Sequence, residues 1–440
     1  MAQNSRHNGE GERPLRGWER RMLAVLGLPT LALALSITVL TTYLPLLAQR
    51  FTSSTTVIGV IIGGEGVVAL VLPLVVGPWS DQLETRIGGR LPFMIAALPV
   101  LAGSLAVVGF ASTLGFVALL VFVFFVAYYV AYEPYRALYP DVLEVEIAGR
   151  GQSTQAIFRG AGTGLALVGG GLLFGVAPPL PFVVAAVLTF GLLAEFAYGM
   201  AGRDRRPETH EPRGVRETLT RVKELLREEP ELRTYFAANT LWELSLAALK
   251  TFVILYLTVG LGYKIGTAVA IVALVAVLVL IAAAVSGKLG DRFGKTRVVV
   301  ISLWVYGIGL LVPFATHVPF IVISVLPLVA FGGGTLLSLP YAVLIPLMPD
   351  DEHGLLTGFY SVSRGLGILL GPLVAGAAVE LLRPELSSTE GYAAMWLVCG
   401  AAILASIPYA TKLHRRAAAA GEEEIDVPAI LRAPLRRAFG

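Results

Sequence analysis

Glu65, Arg159, Glu243, Lys250 and Arg364 stand inside long apolar runs of this 440-residue chain. An ion at the centre of a membrane helix costs about 2.5–3.5 kcal/mol on insertion scales, so ions that persist there usually face protein or a wet cavity. Each of the five has a chemistry to offer. The guanidinium of Arg159 or Arg364 can hold two hydroxyls, or one carboxylate, in a forked hydrogen bond. A carboxyl withdrawn from water favours its neutral form, so Glu65 and Glu243 are candidates to bind and release a proton. Glu243 and Lys250 lie seven residues apart, on one helix face but roughly 10 Å apart by helix rise. That is too far for a direct pair, so each needs another partner, a water or a ligand. Trp242 could stack on a flat ring, although an indole more often packs or anchors at the interface. Purely structural pairings are the alternatives: Arg159 with Glu133, Arg364 with Glu380 or backbone, and Glu65 with Lys250 or a polar neighbour. Glu195, near the end of its run, reads as a side chain that reaches back to the interface.

Positioning these groups requires membrane helices. Hydrophobic residues make up 55% of the chain, charged ones 15%, and mean hydropathy is +0.74, which excludes an ordinary soluble domain. Twelve apolar runs are long enough to cross a bilayer: 22–48, 57–79, 92–110, 114–134, 153–178, 180–200, 234–260, 265–287, 297–316, 319–347, 355–380 and 391–411. Lipid offers no partner to unpaired backbone groups and the runs are too long for barrel strands, so helices are expected throughout. Of 34 Lys and Arg, 28 fall on one side if the N-terminus is cytoplasmic, and only Arg50, Lys264 and Arg383 fall on the other. The excess of basic residues in cytoplasmic loops therefore predicts both termini inside.

Two copies of one pattern organise the spans. Pro134, Tyr135, Leu138 and Pro140 recur as Pro340, Tyr341, Leu344 and Pro346; Arg159, Gly160 and Gly162 recur as Arg364, Gly365 and Gly367. Upstream, Gly77 and Asp81 recur as Gly287 and Asp291. The chain therefore divides into a tail at 1–21, a six-span half at 22–200, a charged connector at 201–233, a second half at 234–411 and a tail at 412–440. Within the connector, Val215, Leu219, Val222, Leu225 and Leu226 repeat at helical spacing among charges and end before Pro230, as an amphipathic helix on the membrane face does. Chains built from two such halves bind substrate between them near the bilayer midplane and rock one half against the other. The glycines of the fifth and eleventh spans are expected to let helices approach closely.

Two loops carry a family resemblance. The first reads Gly77, Asp81, Arg86, Gly88, Arg90, Pro92, Phe93; the second reads Gly287, Asp291, Arg292, Gly294, Lys295. Both resemble the Gly-x-x-x-Asp-Arg-x-Gly-Arg-Arg signature of the major facilitator superfamily, the second more closely. This resemblance implies gating roles for Gly77, Asp81, Arg86, Arg90, Gly287, Asp291 and Arg292. Together with Pro134, Ala137, Leu138 and Asp141, the first loop is similar to the glycoside–pentoside–hexuronide carriers and the related sucrose symporters. That implies a sugar-type substrate carried with a cation, and Arg159 lies near the sugar-binding arginine of the melibiose-type carriers. The coupling acids of both relatives are replaced here, by Ala69 and Pro73 in the sodium pattern and by Phe125 in the proton pattern. Neither Ala69 nor Pro73 can offer a cation side-chain oxygen, so coupling is assigned to protons through Glu65 and Glu243.

The expected protein is an all-α membrane protein with twelve transmembrane helices in two pseudo-symmetric six-helix bundles. It lies in the plasma (inner) membrane and carries a small polar molecule, a sugar, glycoside or sugar acid, with protons. The substrate-binding candidates are Arg159, Trp242, Glu243, Lys250 and Arg364. A multidrug or metabolite–proton exporter, and a non-transporting receptor or scaffold on the same fold, are the alternatives. No enzyme activity, cofactor, metal, nucleotide or nucleic-acid partner is expected. The five histidines are scattered, Cys399 is the single cysteine, and no Gly-x-x-x-x-Gly-Lys-Ser/Thr phosphate loop occurs.

Overall fold

The apolar runs fold as helices, the one backbone arrangement that satisfies its own hydrogen bonds inside lipid without a closed barrel. The computed structural model describes residues 16–83, 85–142, 148–201, 215–316, 318–348 and 356–421. The first half comprises α1 (Gly17–Ala48), α2 (Thr55–Gln82), α3 (Leu91–Val108), α4 (Leu114–Val142), α5 (Ala148–Val176) and α6 (Leu180–Met200). The connector holds α7 (Val215–Glu228), which buries Val222 and Leu225 while Lys223 and Arg227 stay exposed. The second half comprises α8 (Pro230–Leu255), α9 (Ile265–Phe293), α10 (Lys295–Ala315), α11 (Pro319–Ser338), the short α12 (Pro340–Leu344), α13 (Leu356–Leu381) and α14 (Ala394–Ala419). Twelve of these are long and apolar enough to cross a membrane.

Two expected spans are modified. The run 319–347 is not one helix: α11 ends at Ser338, α12 starts at Pro340, and a 3-10 turn follows at Ile345–Leu347. Proline lacks the N–H that would continue the ladder, so Pro340 sits where a first helical turn needs none. Its repeat mate Pro134 is instead carried inside the continuous α4. The seventh span ends as a π-helical turn at Tyr256–Gly260, whose exit is closed by the Leu261 N–H on the Tyr256 carbonyl at 2.8 Å.

The halves meet mainly through α2 against α13, with smaller contacts of α5 with α9 and α1 with α8. Glycine makes the first contact possible. A Cβ on Gly59 would fall on the Pro372 carbonyl oxygen and one on Gly66 on the Leu369 nitrogen; one on Gly63 would stand 2.8 Å from the Leu369 oxygen. Without side chains there, the two backbones approach directly. The spacing loosens along the pair, from Gly365 at 3.0 Å of Leu70 to Gly358 at 4.0 Å of Leu74. On the other side of α13, Gly367 and Gly371 admit Thr240, Glu243 and Leu244 of α8 in the same way. In α5, Gly162 and Gly170 meet α1, and Gly171 meets Val269 of α9, whereas Gly164 and Gly169 face open space. Gly77 and Gly287 also face open space among the described residues, so the close helix approach expected of the loop glycines is not made in this arrangement.

Hydrogen bonds between the halves gather at the end away from the described chain ends. There the Glu380 carboxylate accepts from the Ser54 hydroxyl at 2.8 Å and the Thr56 N–H at 3.2 Å. Thr55 donates to the Gly376 carbonyl at 2.7 Å, and Arg383 to the Ser53 carbonyl at 3.5 Å. Gln49 donates to the Tyr392 hydroxyl at 2.7 Å. That end of the bundle is closed.

Candidate functional site

Between the halves, midway along the helices, charges and tyrosines from α2, α4, α5, α8 and α13 converge. The arrangement begins with α13, wedged between α2 and α8 by its glycines. The wedge brings Arg364 to Glu243, with Nε 3.5 Å from Oε1; the guanidinium side is 38% exposed and the carboxylate side 14%. Tyr360, one turn before Arg364, donates to the same Glu243 oxygen at 3.5 Å. Asn239, one turn before Glu243, donates to the Ser363 hydroxyl at 2.8 Å and so fixes α8 against α13.

The first half supplies the opposite wall. The Tyr129 hydroxyl donates to Glu65 at 3.5 Å. Tyr128 and Tyr132 stack with ring centroids 5.6 Å apart and planes 14° off parallel. Tyr341 meets Tyr360 edge to face at 5.4 Å. The walls sense each other: Glu65 and Glu243 lie within electrostatic reach of one another, and Arg364 within reach of Tyr128, Tyr129 and Tyr132. Tyr128 is buried between Phe124 and Tyr132, so the half-buried Tyr132 and Tyr360 are the rings left to meet a ligand, with hydroxyls that donate or accept.

Arg159 is exposed on α5. Its helix marks the lipid side clearly, because Ile157, Leu165, Val168, Leu172 and Val176 are all exposed and fall on one face at 100° per residue. Arg159 falls on the opposite face, and Tyr128 lies within its electrostatic reach. It therefore looks into the space between the halves. Lys250 is exposed two turns along α8, on the face of Glu243 and within its electrostatic reach.

Of the structural pairings expected from sequence, that of Glu65 with a polar neighbour is found among the described residues, and those of Arg159 with Glu133 and Arg364 with Glu380 are not. Glu133 interacts with Arg136 and Arg364 rather than Arg159. Glu380 serves the closed end and does not meet Arg364. Glu65 is held by Tyr129 and not by Lys250. Trp242 is not brought to the cluster: it is 1% exposed, donates to the Ser406 hydroxyl of α14 at 2.9 Å and packs edge-on against Tyr235. Its position on the helix turns it to the neighbouring helix, so its role here is packing. Of the loop residues, Arg86, Asp291 and Arg292 are exposed, Arg292 stands over the Phe293 ring at 5.3 Å, and Arg90 is buried. The side chain of Asp81 lies outside the described residues.

Comparison with known proteins agrees with this architecture. The sequence profile described as Major Facilitator Superfamily matches residues 26–286 and 265–439. Among curated relatives, the uncharacterized MFS-type transporter YfiU of Bacillus subtilis strain 168 is 28% identical over 95 residues, covering 21% of this chain and 18% of that protein. Multidrug resistance protein 3 of the same organism is 27% identical over 94 residues, with the same coverage. The uncharacterized MFS-type transporter YwfA, also from that organism, is 31% identical over 121 residues, covering 27% of this chain and 26% of its own length. The chain thus spans about a fifth to a quarter of the curated relatives it matches. Solved structures match over much more. A bacterial homolog of the human lysosomal transporter Spinster, in its inward-facing and occupied conformation, superposes with a TM-score of 0.74 at 12% identity, covering 91% of this chain and 98% of the other. A variant of the nucleoside transporter NupG does so with 0.74 at 15%, covering 90% and 99%.

Proposed function

The chain belongs to the Major Facilitator Superfamily, and from that premise we propose that it is a secondary transporter moving a small polar solute together with protons by alternating access. The solute is of sugar type: a sugar, glycoside or sugar acid. The observation that carries this reading is the cluster between the halves, where Glu65, Tyr128, Tyr132, Arg159, Glu243, Tyr360 and Arg364 line one space. Such a collection of ions would be needlessly costly in a pure scaffold and suits a hydrated, hydroxyl-bearing ligand better than a lipophilic one.

Alternating access in this reading works by reciprocal tilting of the halves about the cluster. The chain lies in the plasma (inner) membrane with both termini in the cytoplasm, as the distribution of basic residues favours. The end sealed by Glu380, Ser54 and Thr55 then faces outward, and the arrangement described here opens to the cytoplasm. Arg364 binds Glu243 when the site is empty. Protonation of Glu243 would release Arg364 for a ligand hydroxyl, which links proton and solute at one atom. Glu65 supplies a second carboxyl on the facing wall. The loop residues Gly77, Asp81, Arg86, Arg90, Gly287, Asp291 and Arg292 act at the cytoplasmic mouth.

Transport in reconstituted vesicles tests this. Uptake of a radiolabelled glycoside should follow an imposed pH gradient and ignore a sodium gradient, and Glu65→Gln or Glu243→Gln should uncouple it. Sodium-driven uptake at fixed pH, or full proton coupling in the double Gln variant, contradicts the coupling scheme. The local match to Multidrug resistance protein 3 favours a second reading, a proton-coupled exporter; pH-driven extrusion of a cationic dye that glycosides do not inhibit would select it.

A further inference from the structure

The two pseudo-equivalent arginines are not in equivalent states. Arg364 has a carboxylate at 3.5 Å in Glu243, and Glu133 is within its reach as well. Arg159 has neither an ion pair nor a hydrogen bond among the described residues, although its side chain looks into the same space. The charges around that space are unequal. Among the described side chains, Glu65, Glu133 and Glu243 face Arg136, Arg159, Lys250 and Arg364, one cation more than carboxylates. In a membrane interior an uncompensated guanidinium is costly, and an anion that enters removes that cost. Its planar fork fits a carboxylate by two parallel hydrogen bonds. Beside it, Tyr132 is half-buried and caps a ring stack in which Tyr128 is closed in by Phe124, so Tyr132 offers the aromatic face and hydroxyl of that wall.

We propose that the site takes an organic monoanion, its carboxylate seated in the Arg159 fork and its cyclic body laid against Tyr132. This rests on reading the cluster as the transport site, and it narrows the sugar-type solute from neutral glycosides to acids. Arg364 and Glu243 remain paired to each other when the anion first arrives, and protonation of Glu243 then frees Arg364 for a hydroxyl of the ligand already seated on Arg159.

Isothermal titration of the full chain in lipid nanodiscs tests the assignment with two matched pairs of probes. Phenyl β-glucuronide and phenyl β-glucoside differ by a carboxylate in place of a hydroxymethyl group. The acid 3-phenylpropionate and its amide form a pair without a sugar. The glucuronide should bind at least about 30-fold more tightly than the glucoside, the order expected for a desolvated charged pair. Arg159→Gln should abolish that preference, and Arg159→Lys should reduce it because the charge stays and the fork is lost. The Lys variant also separates a binding defect from a folding defect, since it preserves the charge in the cavity. Equal binding of glucuronide and glucoside, or a preference that survives Arg159→Gln, overturns the proposal and leaves the sugar-type reading standing. Arg159-dependent binding of 3-phenylpropionate alone supports the carboxylate seat and removes the sugar-type reading. Silence from all four probes overturns the seat.

Discussion

The two ends of the helix bundle are built on different terms. From the central cluster to one end the halves touch backbone to backbone: Gly59, Gly63 and Gly66 of α2 lie on Gly365, Leu369 and Pro372 of α13, and at the end itself Ser54, Thr55 and Thr56 bond to Gly376 and Glu380. Toward the other end the same two helices separate, to 4.0 Å between Leu74 and a Cβ placed on Gly358. Among the described residues α4 finds no extensive contact in the opposite half. No ion pair between described residues joins the halves; the central one, Glu243 with Arg364, lies within the second half. Closure therefore rests on close packing and short hydrogen bonds, each worth about 0.5–1.5 kcal/mol net. Many small terms give a contact that is specific in register yet separable as a unit, as a rocking joint requires.

The largest expected disruption is Gly66→Leu. Its Cβ would fall on the Leu369 nitrogen, and the rest of the side chain forces α2 from α13. Overpacking of this kind costs about 1–3 kcal/mol, and it falls on the α2–α13 contact that runs from the central cluster to the closed end. A cysteine placed at Ser53 in a Cys399→Ser background should become labelled by impermeant maleimide from the outside. Unchanged protection would show that the glycine contact does not hold the end shut.

Breaking the central pair should affect a different quantity. Glu243→Gln leaves Arg364 without its counter-charge, at a cost of about 1 kcal/mol, since the guanidinium is 38% exposed and water screens it in part. Because both residues belong to the second half, thermal stability should fall while labelling at position 53 stays as it was. The double variant Glu243→Gln with Arg364→Gln should recover part of the loss, since the interaction is shared. A change in labelling without a change in stability would place the pair in the gate instead.

Glu380→Ala is the mildest of the three. It removes two acceptor bonds at an exposed site, worth about 1 kcal/mol together, and should raise the labelling rate at position 53 severalfold without altering the melting temperature. Stability lost with no gain in labelling would mean that Glu380 acts only as a helix cap.

Much of this was legible in the sequence, and the gaps have physical causes. Span number follows from apolar length alone, because lipid leaves the backbone no alternative. Arg159 and Arg364 were visible through the repeat, which fixes equivalent helix positions. Partners were less legible: an isolated Glu243 or Glu65 does not name the tyrosine or arginine on another helix that will reach it. Trp242 shows the same limit, since a spacing cannot say which neighbour a face will meet. The glycines of α2 were missed although Gly59, Gly63 and Gly66 repeat at helical spacing, a pattern as readable as those of α5 and α13. The break at Pro340 was equally available from proline chemistry. The closed end, with Ser53 to Thr56 on Glu380 and Arg383, could not be read, because such bonds depend on how two loops meet.

Electron–electron distances between spin labels in nanodiscs test the central claim, reciprocal motion of two halves about one site, most directly. One pair sits at Ser53 and Glu385 across the closed end, the other at Thr85 and Arg292 across the open end. Introducing Glu380→Ala should lengthen the first distance and shorten the second in matching proportion, as rigid halves must. A first distance that lengthens while the second stays fixed would mean that the end frays locally, and the rocking account would be wrong.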